Sequence, residues 1–295
     1  MKKFFTVFLN TLLLVVFFSN TTFSALKPIA PYTATKMKVI ESFCKLPLSF
    51  TENKGQLNSK VSYYLKGTKG TIYFTREGIV YDLITVSNPS KDKTKNTSLS
   101  HKKSKTFKRL SFTMKPIGAN RDVRLTADNK FPGQVNYLIG NNPKKWHKEI
   151  PLYKEIVYKD LYKDIDLKIY GNNNRMEYDF IVSPGADPKV ITIACDGIDS
   201  LMIDNKGDLL IKTPLGELKH LNPLIYQEIQ GKRYIIDGSF VVSKNTFSFD
   251  IKEYNKDYPL IIDPLTQSKK AYEALETMIE RVIGIEKWAV DIPCC

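Results

Sequence analysis

Between Trp146 and Pro188 the chain reads WHKEIPLYKEIVYKDLYKDIDLKIYGNNNRMEYDFIVSPGADP, and this stretch restricts the fold more than any other. Ile165, Leu167 and Ile169 alternate with Asp166, Lys168 and Tyr170. Gly171 to Asn174 then supply residues that tolerate positive φ, and Met176, Tyr178, Phe180 and Val182 resume the alternation. A period of two that stops at a turn and restarts predicts a β-hairpin with one apolar face. Two strands alone are marginal in water, so this hairpin demands neighbours.

The rest of the chain is patterned to supply them. Before the hairpin, strands are expected at residues 61–65, 71–75, 79–86, 110–114, 123–125 and 135–139. After it they are expected at 190–195, 201–203, 209–211, 224–229, 234–236, 240–242, 247–251 and 260–262. Turn signals such as Asp196-Gly197, Asn205-Lys206-Gly207 and Lys244-Asn245 separate them at the roughly 8 to 12 residue interval of sandwiches and barrels. Aromatic residues at 12% supply cross-strand packing material. The predicted class is therefore all-β: one large or two packed antiparallel β-sandwiches over residues 48–264. A helical stripe emerges only in the tail, 265–295, where Ala271, Leu275, Met278, Val282 and Ile285 predict a short C-terminal amphipathic helix.

The N-terminus speaks to address. Lys2 and Lys3 precede an apolar run from Phe4 to Phe18, and Thr22-Phe23-Ser24 closes the segment, the pattern of a secretory signal peptide over 1–24. Residues 25–47 read as a linker. The run is shorter than the roughly 20 apolar residues of a spanning helix, so no transmembrane helix is expected after cleavage. Cysteines are few (Cys44, Cys195, Cys294, Cys295) and imply no disulfide framework, although a Cys44–Cys195 bridge stays open.

The formal charge is +13, and much of it is local: eight basic residues against Asp92 between Lys91 and Arg109 mark a mobile basic loop over 87–106. Lys102, Lys103 and Lys105 in that loop favour anionic envelope glycans, or other surface proteins, as partners. Export argues against nucleic acid.

Several segments together resemble a known family: FTENKGQ from Phe50, GQVNYLIGNNPKKWHKEIP from Gly133, YKDLYKDIDLKI from Tyr158, MEYDFIVSPGADP from Met176, TPLGEL from Thr213, PLIYQEIQG from Pro223 and YPLIIDP from Tyr258. They are similar to a bacterial exported domain of unknown function found N-terminal to SBBP-type β-propeller repeats in cell-surface proteins. The resemblance implies a β-rich surface module with no established reaction and no catalytic residues to carry over. It also implies propeller repeats after the YPLIIDP segment. The helical pattern there instead leaves a stand-alone version and an early end of the reading frame as alternatives.

Chemistry has little support in the motifs. No GxSxG, HExxH or GxxxxGK[ST] pattern occurs, and Asp204-Asn205-Lys206-Gly207-Asp208 lacks the spacing and closing Glu of a calcium loop, so it reads as a hairpin turn. No metal or cofactor is expected. The candidate catalytic groups are two i, i+2 carboxylate pairs on the central hairpin, Asp164 with Asp166 and Glu177 with Asp179. Paired strands could bring them together as glycoside hydrolysis requires. Alternating polar residues with Lys159, Lys163 and Lys168 nearby serve solubility equally well. Trp146 is the candidate aromatic for glycan binding. The expectation is a non-catalytic exported structural, assembly or adhesion module; the alternative is a carbohydrate-active enzyme or glycan-binding module using the hairpin carboxylates.

Overall fold

A computed structural model of the chain describes residues 48–67, 70–87, 106–172, 175–264 and 266–267. The expected signal peptide and linker, Lys102, Lys103 and Lys105, Cys44, the terminal cysteine pair and the tail beyond Gln267 lie outside these residues. The described part is all-β. Its strands are β1 (Phe50–Glu52), β2 (Val61–Lys66), β3 (Gly70–Thr75), β4 (Gly78–Ser87), β5 (Thr106–Pro116), β6 (Arg124–Tyr137), β7 (His147–Tyr162), β8 (Ile165–Asn172), β9 (Arg175–Val182) and β10 (Thr192–Asp196). They continue with β11 (Ser200–Ile203), β12 (Leu209–Thr213), β13 (Gly216–His220), β14 (Leu224–Ile229), β15 (Lys232–Ile236), β16 (Gly238–Ser243), β17 (Thr246–Ile251), β18 (Leu260–Asp263) and β19 (Thr266–Gln267).

The central hairpin is present as β8 and β9, in the register Leu167↔Phe180 and Ile169↔Tyr178. Pairing runs on through Gly171↔Met176 and Asn172↔Arg175, so the turn is tighter than the Gly171 to Asn174 reading. Leu167, Ile169, Met176, Tyr178, Phe180 and Val182 are buried on one face, as the alternation requires.

Strand β7 organises the rest. Along one edge it pairs with β6 from His147 to Lys159. Its other edge is shared: Leu152 and Tyr153 seat β1, whereas Glu155 to Tyr162 seat β8. β1 and β8 therefore meet end to end, and a Cβ on Gly171 at the end of β8 would lie 2.8 Å from Leu48 Cβ. From this fork one branch runs β8-β9-β18-β14-β15 and the other β1-β2-β3-β4-β5-β10-β17-β16, every pair antiparallel.

The branches face each other across one core. Phe180 in β9 meets Phe249 in β17 with ring centroids 5.7 Å apart, while Tyr81 and Phe112 stack at 4.4 Å. The far ends also meet, because Asp237 alone joins β15 to β16. The expected sandwich of separate sheets is thus corrected to a single fifteen-stranded sheet, forked and nearly closed on itself. The physical reason is β7, long enough at sixteen residues to serve both layers.

A second sheet, β11-β12-β13-β19, packs on the same core through Leu201, Leu209, Ile211 and Leu218. His220 at the end of β13 reaches between the branches, 5.6 Å from the Tyr178 ring and 6.3 Å from Phe247. β19 follows directly on residue 264, where Thr266 pairs with His220 and Gln267 with Lys219.

Candidate functional site

Residues that alternate inward on β8 and β9 leave their neighbours on the outer face. That face carries Lys168 and Tyr170 from β8 opposite Asp179 and Glu177 from β9. On the far side of β9, β18 pairs Ile262 with Phe180 and Ile261 with Ile181. One register step further places Asp263 beside Asp179. Three carboxylates, Glu177, Asp179 and Asp263, are thereby gathered on two adjacent strands.

Their partners are few. The Tyr170 hydroxyl donates to Asp179 Oδ1 at 3.2 Å and Asn172 Nδ2 to Glu177 Oε2 at 3.1 Å. Asp263 Oδ1 is buried without a hydrogen-bond partner. Lys168 is turned away to Glu155, at 2.7 Å. Arg233 lies over the Tyr226 ring at 4.0 Å and pairs with Glu228 at 2.9 Å. Burial, then the charge of Asp263, pushes Asp179 up to about 7. Burial, then the charge of Glu177, pushes Asp263 up to about 6. A carboxyl that holds its proton near neutrality beside one that releases it is the pattern that acid and base chemistry uses.

The sequence-predicted acids divide. Glu177 and Asp179 do come together on one face. Of the other pair, Asp166 lies on the same outer face, opposite Ile181 in the register, and Asp164 does not. Asp164 sits in the β7–β8 turn with φ 59°, where the strand alternation no longer applies. Asp166 is neutralised in place, receiving Lys159 Nζ at 2.7 Å and the Asp160 N–H at 2.8 Å. Asp263 was missed, although it lies in the YPLIIDP segment that carried the family resemblance.

Trp146 lies elsewhere, in the β6–β7 connection. Its Nε1 donates to Gly140 O at 2.9 Å and Lys148 Nζ is 5.4 Å from the ring centroid. The Asp204–Asp208 loop is the β11–β12 hairpin turn, with Asp204 Oδ1 accepting from the Lys206 and Asp208 N–H groups and Lys219 bridging both acids. No group of three or more His, Cys, Asp or Glu side chains among the described residues has the arrangement of a metal site.

A family described as a domain of unknown function, DUF7948, matches residues 50–265. The chain belongs to that family. No curated protein and no solved structure matches it. The DUF7948 segment takes in the forked sheet, the carboxylate cluster and the Trp146 connection alike, so all the candidate residues just described, apart from the lysines of the basic loop, belong to the family domain's described part.

Proposed function

We propose that this chain is a non-catalytic structural, assembly or adhesion module exported to the bacterial cell surface. The observation that carries the reading is how the polar face of the central hairpin is used. Asp166 is tied to Lys159, Glu155 to Lys168, Glu177 to Asn172 and Asp179 to Tyr170, cross-strand links that hold a sheet together. The interior between the branches is filled by aromatic and aliphatic side chains, and a cavity lined by Ile79, Met114, Tyr158, Tyr178, Phe180 and Phe247 has a volume of only about 20 Å³. The secretory pattern of residues 1–24 and the resemblance to surface proteins support the address.

A second reading, a carbohydrate-active enzyme or glycan-binding module, is favoured by one observation, the placement of Asp179 beside Asp263 in the β9–β18 register, where burial raises both carboxyls. Incubating the purified chain with a panel of neutral and acidic polysaccharides separates the readings. No new reducing ends are expected. Turnover that disappears in Glu177→Gln or Asp179→Asn would replace the first reading with the enzymatic one. Saturable binding without turnover, lost when Trp146 is replaced, would favour the glycan-binding form.

A further inference from the structure

The β6–β7 connection carries a surface that the proposed function does not use. Leu138 and Ile139, directly after β6, are 53% and 75% exposed. Gly140 to Lys145 turn the chain, and Trp146 opens the return. The turn is rigidly built: Asn142 Oδ1 accepts from the Lys144 N–H at 3.0 Å, the Trp146 N–H donates to Pro143 O at 3.1 Å, and the Trp146 indole is tied to Gly140 O. Below it the arm is braced by the Tyr64 to Tyr137 hydroxyl bond at 2.7 Å.

Charge surrounds the apolar pair. Lys144, Lys145 and Lys148 flank Trp146, and none of them forms an ion pair among the described residues. Lys148 is held over the Trp146 ring, and Lys66 lies over the Tyr137 ring at 5.9 Å. Glu149 is the single acid between Leu138 and Ile150.

We propose that this tip, Leu138 and Ile139 with Trp146, Lys144, Lys145 and Lys148, docks on the surface of an anionic lipid bilayer. The two aliphatic side chains would enter the boundary of the acyl region, which removes them from water. An indole sits well at the headgroup level, having an apolar ring and one polar edge. Lysines beside such a tip meet anionic headgroups, each worth about fivefold in affinity. The chemistry selects among occupants. A soluble acidic polysaccharide would satisfy the lysines and leave Leu138 and Ile139 in water. An apolar groove on a protein would cover that pair without needing the uncompensated lysines. No helix among the described residues is long and apolar enough to cross a membrane. The inference goes beyond the proposed function and holds whether or not the module is catalytic.

Trp146 and Trp288 are the two tryptophans, so a full-length Trp288→Phe chain reports on the tip alone. Its emission is expected to shift to the blue on mixed phosphatidylglycerol–phosphatidylcholine vesicles and not on phosphatidylcholine alone. Brominated acyl chains are expected to quench it. In that background Leu138→Asp with Ile139→Asp should abolish the shift, and Ile139→Ser, a milder change at an exposed site, should weaken it with the circular dichroism spectrum unchanged. Replacing Lys144, Lys145 and Lys148 together by Gln should weaken vesicle affinity by about a hundredfold. A blue shift that survives the aspartate pair would overturn the proposal, because it would place Trp146 in lipid without the two aliphatic side chains. So would an indifferent response to anionic vesicles, whether or not a soluble polyuronate, a nucleic acid or a protein produced one.

Discussion

Asp179 on β9 and Asp263 on β18 stand side by side on the outer face of the forked sheet, one register step beyond the Phe180 and Ile262 pair. Neither is in an ion pair among the described residues: Lys168, opposite Asp179 in the β8–β9 register, serves Glu155 instead. Two acids in partial burial cannot both ionise cheaply. The pair is therefore a source of pH dependence whatever the function.

The sign follows from the direction of the shifts. Both carboxyls are raised from the ordinary 3.8, Asp179 to about 7 and Asp263 to about 6. The folded state thus binds more protons than the unfolded state between those values, and stability falls as pH rises from about 4 to 7. Asp179→Asn removes the ionisation. It is expected to stabilise the protein at pH 8 by about 1–2 kcal/mol, a figure reduced for solvent screening of a partly exposed group, and to change little at pH 4. Urea unfolding at the two pH values checks it; equal effects at both would remove the pair from the account.

His220 has the opposite slope. It is buried between the sheet branches, shares a 2.9 Å hydrogen bond with the Tyr178 hydroxyl, and is lowered by burial from 6.5 to about 4. A depressed histidine contributes stability that is complete above its unfolded value and is lost as pH falls through about 4, here on the order of 3 kcal/mol. The two trends oppose each other between pH 4 and 6.5, so the wild type should be nearly flat there. His220→Leu should unmask the falling limb of the acids, and Asp179→Asn the rising limb of the histidine. At pH 7 His220→Leu should also cost about 1–3 kcal/mol for the stranded Tyr178 hydroxyl. Chemical denaturation across this pH range tests the pairing, and parallel profiles in all three proteins would refute it.

Cys195 lies in β10 with 1% exposure, and burial pushes its thiol up to about 12. A thiol in that state is neither accessible nor ionised. With Cys44, Cys294 and Cys295 replaced by serine, a thiol reagent should label Cys195 only at the rate of unfolding. Labelling that is fast in native buffer, and independent of denaturant, would mean that β10 opens locally.

The strands were legible because one-sided burial writes itself as alternation. Ile165 to Ile169, Met176 to Val182 and Phe247 to Phe249 announce which face is inward. What alternation does not encode is who sits beside whom. β10 pairs with β5 and β17, partners distant in sequence, and nothing in residues 192–196 names them. Pro151 concealed that residues 147–162 are one strand: it is accommodated opposite Gln134, where β6 carries its Phe131-Pro132-Gly133 irregularity. β13 was missed because Pro214-Leu215-Gly216 reads as a turn, and the turn is real, but Gly216 already pairs with Thr213. The carboxylate site was half visible for the same reason. Glu177 and Asp179 share a strand, whereas Asp263 reaches them only through the β9–β18 pairing, a contact across more than eighty residues.

Closure of the sheet rests on the seam where β15 passes into β16. A Cβ on Gly238 would run into Ile225 Cδ1 of β14 and would lie 2.9 Å from Asp250 O of β17. Ile225 is 1% exposed, so it has no free space into which to retreat. Gly238→Ala should therefore cost about 1–3 kcal/mol by overpacking. Shortening the obstacle separates this cause from a general intolerance of the strand. Ile225→Val removes Cδ1 at a cost of about 0.5–1.5 kcal/mol on its own. In that background the alanine should be tolerated better, by roughly 1 kcal/mol, because one of its two clashes has gone while Asp250 O remains. Urea denaturation of the four proteins of this double-mutant cycle gives the coupling directly. A coupling near zero would mean that the two ends of the sheet do not press on each other at Gly238, and the nearly closed arrangement would lose its tightest contact.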